Sequence, residues 1–324
     1  CNICGVILNR VASERHEYLL RQAITPLGIP VLGVLRNHTE LSLPSRHLGL
    51  VQAKENEDFE TFANKAGRIV AKHIDLDKLV NLAQPIRDQL DTGSQPPSNV
   101  GLRPLGQVIA VAQDSAFDFS YPHILEKWRK DGAEIIPFSP LANKPPSPRA
   151  DAVYLPGGYP ELFAGLLSTN TTFLDGLRRS AENDCLIYGE CGGYMVLGEF
   201  LTDKQGDKFP MARLLPVSTS FFTQRLHLGY RRLRHTSPLP WAQQLRGHEF
   251  HYACITELAT DTPQVKFTPL FEAEDVEGHS LGNFGHCWGR TMGSFAHVID
   301  QEHDDTTNRS ENTSEPACLL RNHN

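Results

Sequence analysis

A cysteine flanked by glycines, Cys191, follows the apolar run CLIYGE in the stretch YGECGGYMVLG. The Gly-x-Cys-x-Gly pattern, with Gly189 and Gly193 at its ends, is typical of a sharp turn from a strand into a helix, where bulky neighbours would clash. Such a turn exposes its central side chain, and the amides and dipole of the helix are expected to lower the pKa of the thiol. The pattern predicts a nucleophilic cysteine. A small buried residue at a tight helix start is the alternative interpretation.

A nucleophilic thiol also requires hydrogen-bond donors for the oxyanion of a tetrahedral intermediate. The backbone N–H that follows the cysteine, on Gly192, is free to serve as one donor. Gly157 and Gly158 in YLPGGYPEL follow a predicted strand that should lie beside the cysteine strand. Their amides are candidates for the second donor, and an ordinary turn is the alternative.

Three histidines are candidates for the base that accepts the thiol proton. His297 closes the late apolar run RTMGSFAH, and His248 and His251 lie in RGHEFHY. Active sites of open α/β sheets lie at the carboxyl ends of the strands, which favours a histidine that ends a strand as the base. The residues alone leave the role open between His297 and the other two. His248 and His251 would point to opposite faces of a strand, so no metal site is predicted there.

The surrounding elements predict two α/β domains. A strand (ICGVILN), a helix opened by Ser13 (SERHEYLLRQAI) and a second strand (IPVLGVLRN) form a β-α-β pattern, and one or two helices follow. This first domain is predicted at residues 1–92, with a Gly-, Pro- and Ser-rich linker at 93–104. Alternating strands and helices predict a doubly wound domain at 105–299. The polar, acidic residues 300–324 predict a disordered tail.

Composition narrows the classes of partner. The chain has 324 residues, 40% of them hydrophobic and 21% charged, with a net charge of -7 and scattered Lys and Arg. This gives no electrostatic footprint for nucleic acid or an anionic membrane, and no apolar run approaches the roughly 20 residues of a membrane span. The expectation is a cytoplasmic protein that acts on small molecules. Its seven cysteines, an odd number, are expected to be reduced.

Several long motifs carry a resemblance to a known family. GECGGYMVLG, YLPGGYPELFAGLLSTN, LGYR and RGHEFHY resemble the glutamine amidotransferase domain of the cobyrinic acid a,c-diamide synthases, including the hydrogenobyrinic acid type. The upstream segments GVILNRVASERHEYLL and LPSRHLGLVQA resemble the end of that family's ATP-dependent synthetase domain. The resemblance implies the end of a P-loop, dethiobiotin-synthetase-like parallel-sheet domain, followed by a class I glutamine amidotransferase domain of doubly wound α/β fold.

The same resemblance implies a ligase of cobalamin biosynthesis. L-glutamine is hydrolysed through a cysteine thioester, and the ammonia amidates the a and c side-chain carboxylates of cobyrinic or hydrogenobyrinic acid, which ATP and Mg²⁺ activate. Cys191 takes the position of the nucleophile and His297 that of the general base. The amides of Gly158 and Gly192 take the oxyanion hole.

Three residues of the first domain are assigned to ligands. By the resemblance, Asn9 in LNR occupies a nucleotide-binding position that faces the adenine base. Arg46 and His47 in PSRHLGL are candidates for substrate binding, because arginine pairs bidentately with carboxylates. A surface arginine and a capping histidine are the alternative for that pair.

The chain departs from the family pattern in two places. Many class I amidotransferases carry a glutamate two residues after the catalytic histidine, and Ile299 stands there instead. Glu249 or Asp300 is expected to orient the imidazole, unless the pair works as a dyad. The chain also has no Gly-Lys dipeptide, and therefore no P-loop motif, and it begins with Cys1.

We therefore expect a fragment that lacks the N-terminal P-loop portion, with ATP and Mg²⁺ used by the full-length enzyme and none tightly bound here. The alternatives are a related cobyric acid synthase or nickel-sirohydrochlorin a,c-diamide synthase, or a fragment with glutaminase activity only or none. The residues do not indicate the oligomeric state.

Overall fold

The computed structural model describes residues 3–43, 58–83, 101–258 and 267–302. The chain divides into two units, Cys1–Pro96 and Pro97–Asn324. Residues 93–100 of the predicted linker lie outside the described residues. Residues 101–104 are not a linker: Leu102 is buried in the core of the second unit, and the Arg103 carbonyl accepts a 2.9 Å hydrogen bond from the Trp241 indole.

The first unit contains the predicted β-α-β arrangement. Its elements are β1 (Val6–Val11), α1 (Glu14–Ile24), β2 (Val31–Arg36), α2 (Phe59–His73) and α3 (Leu76–Leu82). Strands β1 and β2 pair in parallel. The Ser13 hydroxyl caps α1 by accepting a hydrogen bond from the amide of His16, which confirms the predicted helix start. The P-loop character of this unit stays a prediction.

The second unit contains a ten-stranded mixed sheet. Its strands are β3 (Val108–Ala112), β4 (Glu134–Phe138), β5 (Ala152–Leu155), β6 (Leu186–Glu190), β10 (His227–Arg234), β11 (Gln244–His251), β13 (Thr268–Glu274), β14 (Ser280–Trp288), β15 (Thr291–Ser294) and β16 (Ala296–Gln301). Their order in the sheet is β16-β11-β10-β13-β14-β15-β6-β5-β3-β4. The five strands from β15 to β4 are parallel, and the other five extend the sheet in antiparallel fashion.

Helices cover both faces of the parallel strands. They are α4 (Pro122–Lys130), α5 (Ala164–Thr169), α6 (Thr171–Glu182) and α7 (Gly192–Leu197). Alternate residues of β5 enter two separate apolar clusters: Val153 and Leu155 pack with α6 and α7, and Tyr154 packs with α4. Both faces of the strand are therefore buried, which is why it reads as one continuous apolar run. The predicted doubly wound α/β fold is confirmed for these strands.

Most of the antiparallel strands were not predicted. A separate four-stranded sheet has the order β12-β9-β7-β8 and comprises β7 (Phe200–Thr202), β8 (Lys208–Pro210), β9 (Val217–Ser220) and β12 (Cys254–Leu258). The predicted tail also begins later than expected, because β16 continues to Gln301 and Glu302 pairs with Arg246 at 3.1 Å. Residues 303–324 lie outside the described residues. None of the described helices combines the length and the apolar character that crossing a bilayer requires.

Candidate active site

Cys191 occupies the predicted turn between β6 and α7. Its φ of 46° lies in the left-handed region, which is rare for a residue with a side chain and typical of a nucleophile held on a sharp turn. A Cβ on Gly193 would lie 2.0 Å from the Leu155 carbonyl oxygen, and one on Gly189 would lie 2.8 Å from the Gly193 backbone. Glycine is therefore required on both sides of the cysteine, because the strand and the helix approach too closely for any side chain.

The Cys191 thiol is buried, and its pKa is raised rather than lowered. Burial is the largest cause, and the neighbouring Glu161 carboxylate adds to it, whereas a hydrogen bond from the Gly192 amide to the sulfur acts in the opposite direction. The expected lowering of the pKa was wrong, because the hydrogen bond from the Gly192 amide does not outweigh the loss of water around a thiolate. A thiol of this kind must give its proton to a base before it can attack.

The two predicted oxyanion donors lie side by side. The Gly158 amide nitrogen lies 3.0 Å from the position that a Cβ on Gly192 would occupy. A Cβ on Gly158 would in turn lie 2.0 Å from the Ala116 carbonyl oxygen, so the loop after β5 fits this position only as glycine. The Gly158 and Gly192 backbones therefore lie close together beside Cys191, and their roles as oxyanion donors stay predictions.

His297 does not end a strand as predicted: it is the second residue of β16 and pairs with His248 of β11. The preceding strand, β15, ends at Ser294, whose carbonyl accepts a 2.8 Å hydrogen bond from the amide of Cys191. The chain therefore returns to the carboxyl edge of the parallel strands just before His297. Burial, followed by the charges of His248 and His251, lowers the pKa of His297 to about 3. The imidazole is neutral at pH 7 and able to accept a proton.

The rings around His297 hold it in place. His248 stacks on it with 4.9 Å between ring centroids and 7° between planes, and the Tyr121 ring lies edge-on at 6.4 Å. Tyr121 also makes a hydrogen bond to the His248 ring through its hydroxyl. Tyr121 stands at the start of α4, where an aromatic residue of the segment DFSYPH is expected to belong to the core.

The carboxylate of Glu190, the residue before the cysteine, lies close to the imidazole of His297. The distance from its Oε2 to His297 Nδ1 is 3.8 Å, and 2% of its side chain is exposed. Sequence reasoning missed this residue, although a carboxylate in a strand whose other residues are all apolar or glycine is itself a signal of function.

The two predicted orienting residues are engaged elsewhere. The Glu249 carboxylate accepts hydrogen bonds from Arg231 at 2.7 and 3.0 Å and lies 2.7 Å from His251 Nε2. Asp300 accepts a 2.8 Å hydrogen bond from the amide of Gln301. Neither prediction for the orienting carboxylate agrees with this geometry, because both side chains face other partners.

The remaining predicted residues belong to the first unit. Asn9 is exposed in β1, where its side chain accepts a 2.9 Å hydrogen bond from the amide of Arg10. Arg46 and His47 lie outside the described residues. The assignments of these three residues to nucleotide and substrate stay predictions.

The predicted split of the GHEFH segment between two faces agrees with its contacts. His248 faces Tyr121 and His297, whereas His251 faces Glu249. Potential metal-ligand atoms of His227, Glu249 and His251 lie within 4.8 Å of one another. Arg231 already pairs with the carboxylate of that group, which weakens the attraction for a cation.

An α/β fold that carries a cysteine on a strand-to-helix turn, a buried histidine and a neighbouring glycine loop is typical of cysteine-dependent acyl-transfer enzymes. Residues 108–304 match the CobB/CobQ-like glutamine amidotransferase domain. This match covers more than half of the chain, and the chain belongs to that family.

Curated relatives match over most of this chain. The chain is 50% identical over 299 residues to the hydrogenobyrinate a,c-diamide synthase of Brucella anthropi, a match that covers 92% of this chain and 66% of that protein. The synthase of the same name from Rhizobium meliloti is 46% identical over 299 residues, with the same coverage of both chains. The chain thus spans about 66% of the length of these relatives.

Solved structures match at lower similarity. A glutamine amidotransferase from Thermotoga maritima has a TM-score of 0.39 and 16% identity, covering 60% of this chain and 75% of its own. PurLQS from the same organism has a TM-score of 0.38 and 15% identity, covering 59% and 86%.

We expect a Gly157→Ala substitution to impair glutamine hydrolysis by displacing His297. The added Cβ would lie 2.4 Å from His297 Cε1, so the ring must move, and a displacement of about 1 Å from the reactive geometry can cost on the order of 10²-fold in rate. The measurement is steady-state release of glutamate from glutamine. Gly67→Ala in α2 is the matched control, because nothing lies within 4 Å of its added Cβ. A Gly157→Ala protein with the unaltered rate would contradict the placement of His297.

Proposed function

We propose that this chain hydrolyses L-glutamine at Cys191 and His297, and that the ammonia serves to amidate the a and c side-chain carboxylates of hydrogenobyrinic or cobyrinic acid in cobalamin biosynthesis. The observation that carries the proposal is the loop of Gly157 and Gly158, which approaches His297 on one side and Gly192, the residue after Cys191, on the other. The identity to hydrogenobyrinate a,c-diamide synthases supports the choice of acceptor.

The geometry supports a thioester route for glutamine. Cys191 gives its thiol proton to the unprotonated ring nitrogen of His297, and the sulfur attacks the side-chain amide carbon of glutamine. The Gly158 and Gly192 amides stabilise the oxyanion that forms. His297 then returns the proton to the leaving nitrogen, ammonia departs, and a glutamyl thioester remains on Cys191. A water molecule that His297 deprotonates releases glutamate and regenerates the thiol.

The ATP-dependent half of the reaction belongs to the same proposal. ATP with Mg²⁺ converts the acceptor carboxylate into an acyl phosphate, and ammonia displaces phosphate to form the amide. Asn9 is proposed to face the nucleotide, and Arg46 and His47 the anionic acceptor, because arginine suits carboxylates and phosphates. Cobyric acid synthase and nickel-sirohydrochlorin a,c-diamide synthase activity are the alternative acceptor chemistries.

Amidation assays separate the two halves of this proposal. The chain, alone and joined to the part of the Brucella anthropi relative that it does not match, is incubated with hydrogenobyrinic acid, ATP and Mg²⁺, and with either glutamine or ammonia. In the joined protein we expect the a,c-diamide with both nitrogen sources. Cys191→Ser should abolish amidation from glutamine and spare amidation from ammonia, because ammonia bypasses the thiol.

Mass spectrometry of the product decides between the acceptors. Cobyric acid synthase and nickel-sirohydrochlorin substrates are offered in parallel with cobyrinic and hydrogenobyrinic acid. Amidation of one of the alternative acceptors alone would overturn the proposed acceptor and leave the glutaminase assignment standing. Loss of ammonia-dependent amidation in Cys191→Ser would contradict the separation of the two sites.

A further inference from the structure

The carboxylate of Glu190 is buried beside the imidazole of His297 and is held by three donors. Its Oε2 accepts a 2.8 Å hydrogen bond from the Tyr154 hydroxyl. Its Oε1 accepts 3.1 Å hydrogen bonds from the Tyr188 hydroxyl and from the backbone amide of Val298. All three bonds favour the charged carboxylate, and they fix its direction to within the small range that hydrogen bonds permit.

The Nδ1 atom of His297 faces this carboxylate without another partner. It is buried, and among the described residues it has no hydrogen bond. Glu190 Oε2 lies 3.8 Å away, about 1 Å beyond a hydrogen bond, and catalytic hydrogen bonds often tighten only when substrate is bound. Stacking on His248 and the close approach of Gly157 restrict how far the ring can turn away.

We propose that Glu190 is the positioning residue of His297, an inference that rests on the proposed glutaminase function. Glu190 accepts a hydrogen bond from Nδ1–H, which fixes the tautomer and leaves the lone pair on Nε2 for the Cys191 proton. When that proton moves from sulfur to Nε2, the fixed negative charge of Glu190 stabilises the imidazolium and is not itself protonated. Glu190, the residue before Cys191, thus takes the role of the glutamate that many class I amidotransferases carry two residues after the histidine.

Burial gives this arrangement a measurable dependence on pH. Burial raises the pKa of Glu190 to about 7, although the Val298 amide and the Tyr154 and Tyr188 hydroxyls act against it. The titratable groups close to this carboxylate and histidine are Tyr121, Tyr154, Tyr188, Cys191, His248 and His251. As the pH falls through about 7, Glu190 takes up a proton and its charge is lost, so glutamine turnover should fall along an acid limb near that pH.

The test compares Glu190→Gln with the unaltered chain. We expect kcat for glutamine hydrolysis to fall by at least about 10 to 100-fold with little change in KM, the effect of losing a partner that orients a metal-ligating histidine. The acid limb near pH 7 should disappear, because glutamine does not titrate. The raised pKa of Glu190 also affects the free energy of unfolding, because the folded state binds the proton more tightly than the unfolded state does. Above pH 7 the ionised carboxylate therefore lowers the stability of the fold. At pH 8, Glu190→Gln should melt no earlier than the unaltered chain.

Tyr154→Phe and Glu134→Gln complete the series. Loss of the Tyr154 donor should move the acid limb to higher pH while leaving the carboxylate in place. Glu134 is an exposed carboxylate on β4 that pairs with Arg149, and its substitution should leave both rate and limb unchanged. The same kcat and acid limb in Glu190→Gln and the unaltered chain would overturn the inference while leaving the glutaminase standing.

Alkylation of Cys191 by iodoacetamide provides a readout that does not depend on glutamine hydrolysis. Since the charge of Glu190 stabilises the thiolate–imidazolium pair, the rate between pH 7 and 8 should be lower in Glu190→Gln. Equal alkylation rates across that range would overturn the role of Glu190, even in a chain that hydrolyses no glutamine. If the unaltered chain hydrolyses no glutamine but Glu190→Gln is alkylated more slowly than it, the result would count against the proposed glutaminase function and not against the role of Glu190.

Discussion

Replacing Cys191 with serine is expected to reduce glutamine hydrolysis by at least about 10³-fold, because the thioester route loses its nucleophile. The substitution removes little volume from a turn that already fits only small neighbours, so the fold should be retained. The measurement is glutamate release under saturating glutamine, with thermal melting to verify folding.

Cys185→Ser is the matched control for this substitution. Cys185 is also a buried free thiol and lies just before β6, but it is not on the turn, and burial raises its pKa to about 11. It should retain the rate of the unaltered chain. Glutamine hydrolysis that survives in Cys191→Ser and is lost in Cys185→Ser would show that the wrong thiol has been assigned.

His297→Ala is expected to lower glutamine hydrolysis by on the order of 10² to 10⁴-fold, the usual contribution of a positioned general base. The effect should be large because the pKa of the Cys191 thiol is raised by burial, so few molecules carry a thiolate without a base to accept the proton. Single-turnover and steady-state hydrolysis measure the loss, and added imidazole should restore part of it.

His248→Ala is the informative comparison for the base. The imidazole of His248 stacks on that of His297, but its Nε2 is already hydrogen-bonded to the Tyr121 hydroxyl. A loss of the expected size in His248→Ala, with near-normal hydrolysis in His297→Ala, would mean that the two histidines have been assigned in the wrong order.

Local patterns predicted the strand-to-helix turn at Cys191 because its requirements are local. Gly189 and Gly193 are needed by the backbone of the turn itself, and this need is visible in the spacing Gly-x-Cys-x-Gly. The parallel strands were predictable for a similar reason, since burial on both faces of β5 and β6 produces continuous apolar runs. Most antiparallel strands escaped prediction, and HLGYRRLR of β10 shows why: its positions alternate between partly buried and exposed, so it forms no continuous apolar run.

Features that depend on distant contacts could not be predicted in this way. The direction of the Cys191 pKa shift depends on burial and on Glu161, neither of which follows from a helix start alone. The expected partners of His297 were Glu249 and Asp300, whereas Glu190 reaches it from another strand, 107 residues earlier. The Tyr154 and Tyr188 hydroxyls that hold this carboxylate come from neighbouring parallel strands, whose register only the folded sheet reveals.

The central assignment, that Cys191 is the glutamine nucleophile, is tested most directly by labelling the chain with a glutamine-derived chloroketone and mapping the modified peptide by mass spectrometry. We predict a single label on Cys191, prevented by excess glutamine and absent from Cys191→Ser. Labelling of Cys185, Cys254 or Cys287 with Cys191 unmodified would contradict the assignment.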